Sequence, residues 1–247
     1  MGLLRPTHGS AELFGQDCWN HGATIRKDVG YLPGEVRFYG RMTGRAILGL
    51  FAGIRGIDCR AEIDRLSREF ELELDRTVRK YSSGMRQKLG LIQAFMHRPD
   101  LLILDEPTTA LDPLVRQIVH AEIRTAIADG RTVLFSSHTL SEVAELCEEV
   151  AILRDGHLIE HERVDVLRSR AVRKIELTYD GPPPSETPND LQVSHQDQRS
   201  IHGRWLGPLA ALNHWLATQS ISDLTIAPPD LEDLFLAYYS KDDDSAK

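Results

Sequence analysis

Leu101-Leu102-Ile103-Leu104-Asp105-Glu106-Pro107-Thr108-Thr109-Ala110-Leu111-Asp112-Pro113 is the stretch on which the reading of this chain turns. Four consecutive apolar residues fit a strand buried on both faces of a parallel sheet. His97-Arg98-Pro99-Asp100 breaks the helical pattern before it, so Asp105 and Glu106 fall at the strand's carboxyl end. Open α/β sheets place their ligands at such ends. Two adjacent carboxylates repel each other, and something must offset that cost. Mg²⁺ would do so, because it prefers oxygen ligands and keeps several waters. Asp105 would hold the metal through water, and Glu106 would face an attacking water as general base. For the acid pair alone, a surface strand end with two solvated acids is the plainer reading. The apolar run before it and Pro-Thr-Thr-Ala-Leu-Asp-Pro after it favour chemistry.

Outward from this stretch, strand and helix patterns alternate. Val29-Gly30-Tyr31-Leu32 reads as a strand that runs into a loop at Pro33-Gly34. From Thr43 to Leu74 the pattern is helical, with Ile63, Leu66 and Phe70 on one face. A further helix is predicted after Ser82 and Ser83, with Met85, Leu89, Ile92 and Met96 inward. Pro113 to Asp129 reads as a helix closed by Gly130, and Thr132 to Phe135 as a second buried strand. Leu140 to Glu149 is read as a helix. Asp155-Gly156 between Ala151–Arg154 and His157–Glu160 is a hairpin signal. The alternation argues for an α/β layer fold.

After about residue 170 the composition changes. Arg173 to Tyr179 alternates like a half-buried strand, and Gly181-Pro182-Pro183-Pro184 reads as a loop. Leu209, Leu212 and Leu216 mark a short helix, Leu224 to Ile226 a strand, and Leu231, Leu234, Phe235 and Tyr238 a last helix before a polar tail from Lys241. This is the pattern of a small α+β domain.

Two further features point to the same crevice. His138 lies 33 residues after Asp105, just past the next predicted strand. Parallel neighbours end on one edge of the sheet, so its imidazole should face the acids, where it can bond a phosphate oxygen and a water. Tyr81-Ser82-Ser83-Gly84-Met85 opens a helix 21 residues before Asp105. Serine hydroxyls cap a helix, glycine lets a ligand approach, and exposed N–H groups favour an anion. An ordinary N-cap is the plainer reading of that segment on its own.

The 247 residues are 41% hydrophobic and 27% charged, enough for one sizeable core and a small appended domain. A net charge of −8 gives no basic face, so no nucleic-acid partner is expected. No run of about 18 apolar residues suggests a membrane span. Nothing resembles a secretory leader. Cys18, Cys59 and Cys147 are far apart and share no metal spacing, which fits inert thiols in a reducing compartment.

Together these motifs resemble the ATP-binding subunit, or nucleotide-binding domain, of ABC transporters. Tyr81 to Met85 looks like the family signature Leu-Ser-Gly-Gly-Gln; Ser82 and Gly84 match, and Tyr81, Ser83 and Met85 depart. Leu101 to Glu106 looks like the Walker B strand with its catalytic glutamate, Ala110-Leu111-Asp112 like the D-loop, and His138 like the switch histidine. Tyr31-Leu32-Pro33 looks like the approach to the Q-loop, where Gly34 stands in place of the family's glutamine and Glu35 follows as a partial substitute. Pro33-Gly34-Glu35 and the C-terminal Asp230-Leu231-Glu232-Asp233-Leu234-Phe235 look most like bacterial drug- or antibiotic-efflux ATPases.

The resemblance implies an α/β P-loop NTPase core of the ABC type over residues 1–168, with a helical subdomain at about 41–97, and an accessory α+β domain over 169–247. It implies ATP and Mg²⁺ as cofactors and Glu106 and His138 as catalytic groups. Asp105 would lie on the metal, Asp112 in the D-loop, and Gly34 and Glu35 in the Q-loop. Ser82, Ser83 and Gly84 would meet a nucleotide held by a partner subunit. It further implies peripheral attachment to membrane-spanning permease subunits at the cytoplasmic face, and a head-to-tail dimer.

One motif is missing. The phosphate loop Gly-x-x-x-x-Gly-Lys-Ser/Thr (Walker A) does not occur, nor does any Gly-Lys pair. Charge-assisted bonds contribute roughly 1.5–3 kcal/mol each, so losing three lowers ATP affinity by about three to six decades. The chain is therefore expected to be an incomplete, N-terminally truncated core with unpaired sheet edges. Three readings stand: a start placed inside a longer protein, a decayed gene, or a half-site partner that lends Ser82 and Gly84 to a complete subunit. Whether this chain hydrolyses ATP by itself is left open by the missing loop.

Overall fold

The computed structural model describes residues 2, 4–170, 173–181, 184 and 186–227. These form two compact units, Met1–His138 and Thr139–Lys247. The predicted last helix at Leu231 to Tyr238, the polar tail, Pro182 and Pro183 lie outside the described residues.

In the first unit, β1 (Glu12–Leu13) and β2 (Gln16–Asp17) pair antiparallel ahead of the short α1 (Gly22–Ile25). Next comes β3 (Val29–Leu32), as expected. The predicted helical stretch from Thr43 to Leu74 is two helices, α2 (Gly44–Arg55) and α3 (Arg60–Glu69). Thr43 starts α2 by accepting the Ala46 N–H at 3.2 Å, and Gly56 ends it in the left-handed conformation, φ 71°. Glycine adopts that conformation without a Cβ penalty. A 3₁₀ turn at Val78–Lys80 leads to α4 (Ser83–Phe95), whose Leu89, Leu91, Ile92, Ala94 and Phe95 are all buried, whereas Met85 is half-buried. This helix lies against β3 so closely that a Cβ on Gly90 would stand 2.7 Å from Leu32 Cδ1.

Then follow β4 (Leu101–Asp105), α5 (Pro113–Ala128) and β5 (Thr132–Ser136). The parallel three-stranded sheet has the order β3-β4-β5, with Leu32 opposite Leu104 and Asp105 opposite Ser136. β3 and the central β4 are deeply buried. β5 departs from its reading as a strand buried on both faces: alternate residues are exposed, Leu134 by 61%. Among the described residues it is the outer strand of this sheet, so its apolar run lacks a neighbour on one side.

The second unit opens with α6 (Leu140–Leu146), shorter than predicted because Glu149 already begins β6 (Glu149–Arg154). β7 (His157–Arg163) pairs antiparallel with β6 across Asp155 and Gly156, whose φ of 50° and 78° suit a primed hairpin turn. α7 (Val164–Arg170) buries Val164 and Leu167 against Leu140, Ala144, Cys147 and Val150. β8 (Arg173–Tyr179), β9 (Leu191–Gln196), β10 (Ser200–Trp205), α8 (Leu209–Leu216) and β11 (Ile221–Ile226) complete it. The sheet order is β11-β8-β10-β9, antiparallel throughout. Ile175, Leu177, Tyr179, Leu191, Ile201, Trp205 and Leu212 form its core. The helix and the strands at 173–179 and 224–226 follow the sequence pattern; β9 and β10 were not expected.

Candidate functional site

Asp105 and Ser136 close adjacent parallel strands and stand opposite each other. Ser136 Oγ donates to Asp105 Oδ1 at 2.6 Å and accepts the Glu106 N–H at 2.9 Å. From the other side, the Gly34 N–H donates to Asp105 Oδ2 at 3.2 Å. A Cβ at position 34 would be 2.8 Å from that oxygen, so a side chain there would have to displace the carboxylate. His138 Nδ1 lies 2.7 Å from Glu106 Oε2, and Thr109 Oγ1 donates to the same oxygen at 3.4 Å. The structure thus brings together Asp105, Glu106, His138 and Gly34. Their setting is open to solvent, with the His138 side chain 77% exposed and that of Glu106 28%.

Other predicted residues have different local partners. Glu35 is turned toward Arg37, 2.7 Å away, and not toward the acids. Ser82 caps α4 by accepting the Met85 N–H at 3.2 Å, Ser83 is exposed, and Asp112 caps α5 by accepting the Val115 N–H at 3.0 Å. A Cβ on Gly84 would stand 2.9 Å from the Ala110 carbonyl, so the serine-rich turn lies against the turn that follows the acids.

Sequence reasoning missed three residues that organise this cluster: Ser136, Thr109 and Gln87. Gln87 Nε2 donates to the Glu106 and Pro107 carbonyls, both at 3.1 Å. The available signal for Gln87 was its place on the face of α4 that carries Leu91 and Ala94 at i+4 and i+7, because a buried amide has to find partners. For Ser136 the signal was its matched place at the end of the neighbouring strand.

The oxygens that could meet a hard cation are the Asp105 carboxylate and the Ser136 hydroxyl beside it; the Gly34 N–H orients the carboxylate but cannot ligate a metal, and the imidazole of His138 faces Glu106 instead. Among the described residues no three His, Cys, Asp or Glu groups form a ready metal cage. A single carboxylate with water and phosphate oxygens is how Mg²⁺ is commonly held, so the residues fit that ion.

A parallel sheet that delivers an acid pair and a histidine to its carboxyl edge, beside a serine-capped helix, is an open α/β fold with a ligand crevice at that edge. Comparison with known proteins narrows that class. The ABC transporter family matches over residues 1–109. The bacitracin transport ATP-binding protein BcrA of Bacillus licheniformis is 36% identical over 183 residues, 72% of this chain and 59% of that one. A solved ATP-binding subunit of an ABC transporter superposes with a TM-score of 0.64 at 30% identity, covering 68% of this chain and 72% of that one. The MJ0796 ATP-binding cassette, solved as a dimer in a post-hydrolysis state with ADP and phosphate, shares the fold at TM-score 0.58 and 20% identity, over 66% of this chain and 76% of that one. This chain belongs to the ABC transporter family, among its ATP-binding subunits. It spans between 49% and 66% of the length of three curated relatives.

Proposed function

We propose that this chain serves as the ATP-binding and hydrolysing subunit that energises an ABC exporter of drug or antibiotic molecules. The observation that carries the reading is the cluster Asp105–Ser136–Glu106–His138 at the carboxyl edge of the parallel sheet. The likeness to a bacitracin-transport protein supports the cargo class.

In this reading Glu106 orients a water toward the terminal phosphate of ATP, and the imidazole of His138 holds the carboxylate in place and contacts that phosphate. Asp105 would hold Mg²⁺, which when bound neutralises charge on the phosphates. Ser82, Ser83 and Gly84 serve a nucleotide on the partner subunit, and Asp112 stands at that contact. The helical segment from Gly44 to Phe70 and the loop at Gly34 and Glu35 pass closure on to membrane-spanning permease subunits. The chain works peripherally, at the cytoplasmic face of the membrane. Residues 1–168 form the ATP-binding domain and 169–247 the accessory domain. Among the described residues no helix is long and apolar enough to cross a membrane.

A second reading rests on one sequence fact. These 247 residues contain no Gly-Lys pair, so none of them forms the phosphate loop, and in this reading the loop comes from a second subunit. This chain would then lend its signature residues to a complete ATP-binding subunit. Steady-state Mg-ATP hydrolysis separates the two. Hydrolysis by the purified chain alone supports the first; hydrolysis only after mixing with a complete subunit supports the second. No hydrolysis in either arm sinks both.

A further inference from the structure

Glu106 is one of the few non-glycine residues with positive φ, at 49°, and Ala110 at the other end of the same turn has φ 62°. A side chain in the left-handed region costs energy and persists only where surroundings hold it. Both peptide units flanking Glu106 are held by side chains from other elements. Its N–H donates to Ser136 Oγ at 2.9 Å. Its carbonyl accepts from Gln87 Nε2 at 3.1 Å, and the same amide reaches the Pro107 carbonyl at 3.1 Å. Gln87 is buried, 6% exposed, so its bonds are shielded from water.

The consequence is directional. The backbone of Glu106 sets the direction in which its side chain leaves the turn, and there Oε2 lies 2.7 Å from His138 Nδ1. An ionised carboxylate offers no proton, so this bond requires the proton on Nδ1. That is the reverse of the tautomer free histidine favours. We propose that Gln87 and Ser136 are a pair of positioning residues: one from α4, one from the end of β5, together they fix the left-handed Glu106 and so aim its carboxylate. Because Gln87 lies one helical turn from the serine-rich start of α4, a shift of that helix moves Glu106 directly. The proposal rests on the reading of Glu106 as the group that faces the attacking water, but its test needs no ATP.

The experiment is a long-range ¹H–¹⁵N spectrum of the whole chain labelled in histidine, at one pH near 8, with His138 assigned by the peak lost in His138→Gln. Wild type is expected to show His138 with its proton on Nδ1. Ser136→Ala is expected to revert His138 to the Nε2–H form, Ser136→Thr to keep Nδ1–H, and Gln87→Met to revert. Thermal unfolding of each variant checks that the fold is retained; a merely structural role would lower its midpoint and leave the His138 tautomer as in wild type. A wild type without the Nδ1 proton, or Ser136→Ala that keeps it, overturns the proposal. So does Gln87→Met that keeps it, or Ser136→Thr that loses it. If these spectra behave as expected while no assay shows hydrolysis, the positioning stands and the hydrolytic reading falls.

Discussion

At the scale of single residues, two acids in sequence have been given different surroundings. Asp105 is gripped on both oxygens by Gly34 and Ser136, whereas Glu106 shares one oxygen with His138 and Thr109. A group that only orients water can be replaced by its amide with little change in shape. Glu106→Gln is therefore expected to lower single-turnover ATP hydrolysis by about 10²–10⁴-fold, the usual range for a general base, with nucleotide affinity nearly unchanged. Equal losses in binding and hydrolysis would show that Glu106 holds ligand instead. A second residue acts through pH. His97 is held to about 4, first by burial and then by the charge of Arg55, against an ordinary 6.5. The unfolded chain takes up this proton near pH 6.5, but the folded chain resists until about pH 4. Stability from the neutral ring is thus complete above about pH 6.5 and is lost as pH falls through that window. Urea midpoints of wild type should fall more steeply between those limits than midpoints of His97→Met. Parallel curves would mean that His97 titrates alike in both states.

At the scale of elements, the link from the helical segment to the core is ionic as well as apolar. Arg65 on α3 bonds Glu122 on α5 at 2.6 and 2.8 Å, and also Glu62 at 2.6 Å within its own helix. Glu122 is only 12% exposed in its side chain while Arg65 is 37% exposed, so the pair is partly shielded. Removing one partner strands a carboxylate near the core. Arg65→Ala should cost about 2 kcal/mol in urea unfolding, less than a fully buried pair because solvent screens the arginine. Arg65→Met with Glu122→Met should recover part of it. Such pairs were illegible in the sequence, since nothing local joins position 65 to position 122. What was legible had a local cause. Thr132 to Phe135 announced a strand through its apolar run, and Ser82 announced a helix start through its capping oxygen, whereas the capping role of Asp112 appeared only in the structure. Burial of β5 was misjudged because a run of apolar residues reports what a strand can bury, not whether a neighbour covers it. Likewise Asp105, Glu106 and His138 were found by their places at strand ends, while Ser136 and Gln87 needed the register and the helix placement to appear.

At the scale of the whole molecule, the question is where one folding unit stops. Backbone proximity sets the division after His138, which assigns α6, β6, β7 and α7 to the second unit. Within that unit the side chains form two separate cores. Val164 and Leu167 pack with Leu140, Ala144, Cys147 and Val150, whereas the core of the four-stranded sheet starts at Ile175 and takes in no earlier residue. A sheet with one face closed by a helix and seven fully covered apolar side chains is large enough to form alone. Fragment 169–247 should therefore unfold cooperatively in urea, reported by the fluorescence of buried Trp205 and half-buried Trp215. The longer fragment 139–247 serves as the comparison. If the short fragment melts as sharply as the long one, the accessory domain begins after α7 and is joined to the ATP-binding domain as a separate folding unit. If only the long fragment melts cooperatively, the hairpin and its helices belong to the accessory domain, and the boundary lies just beyond His138.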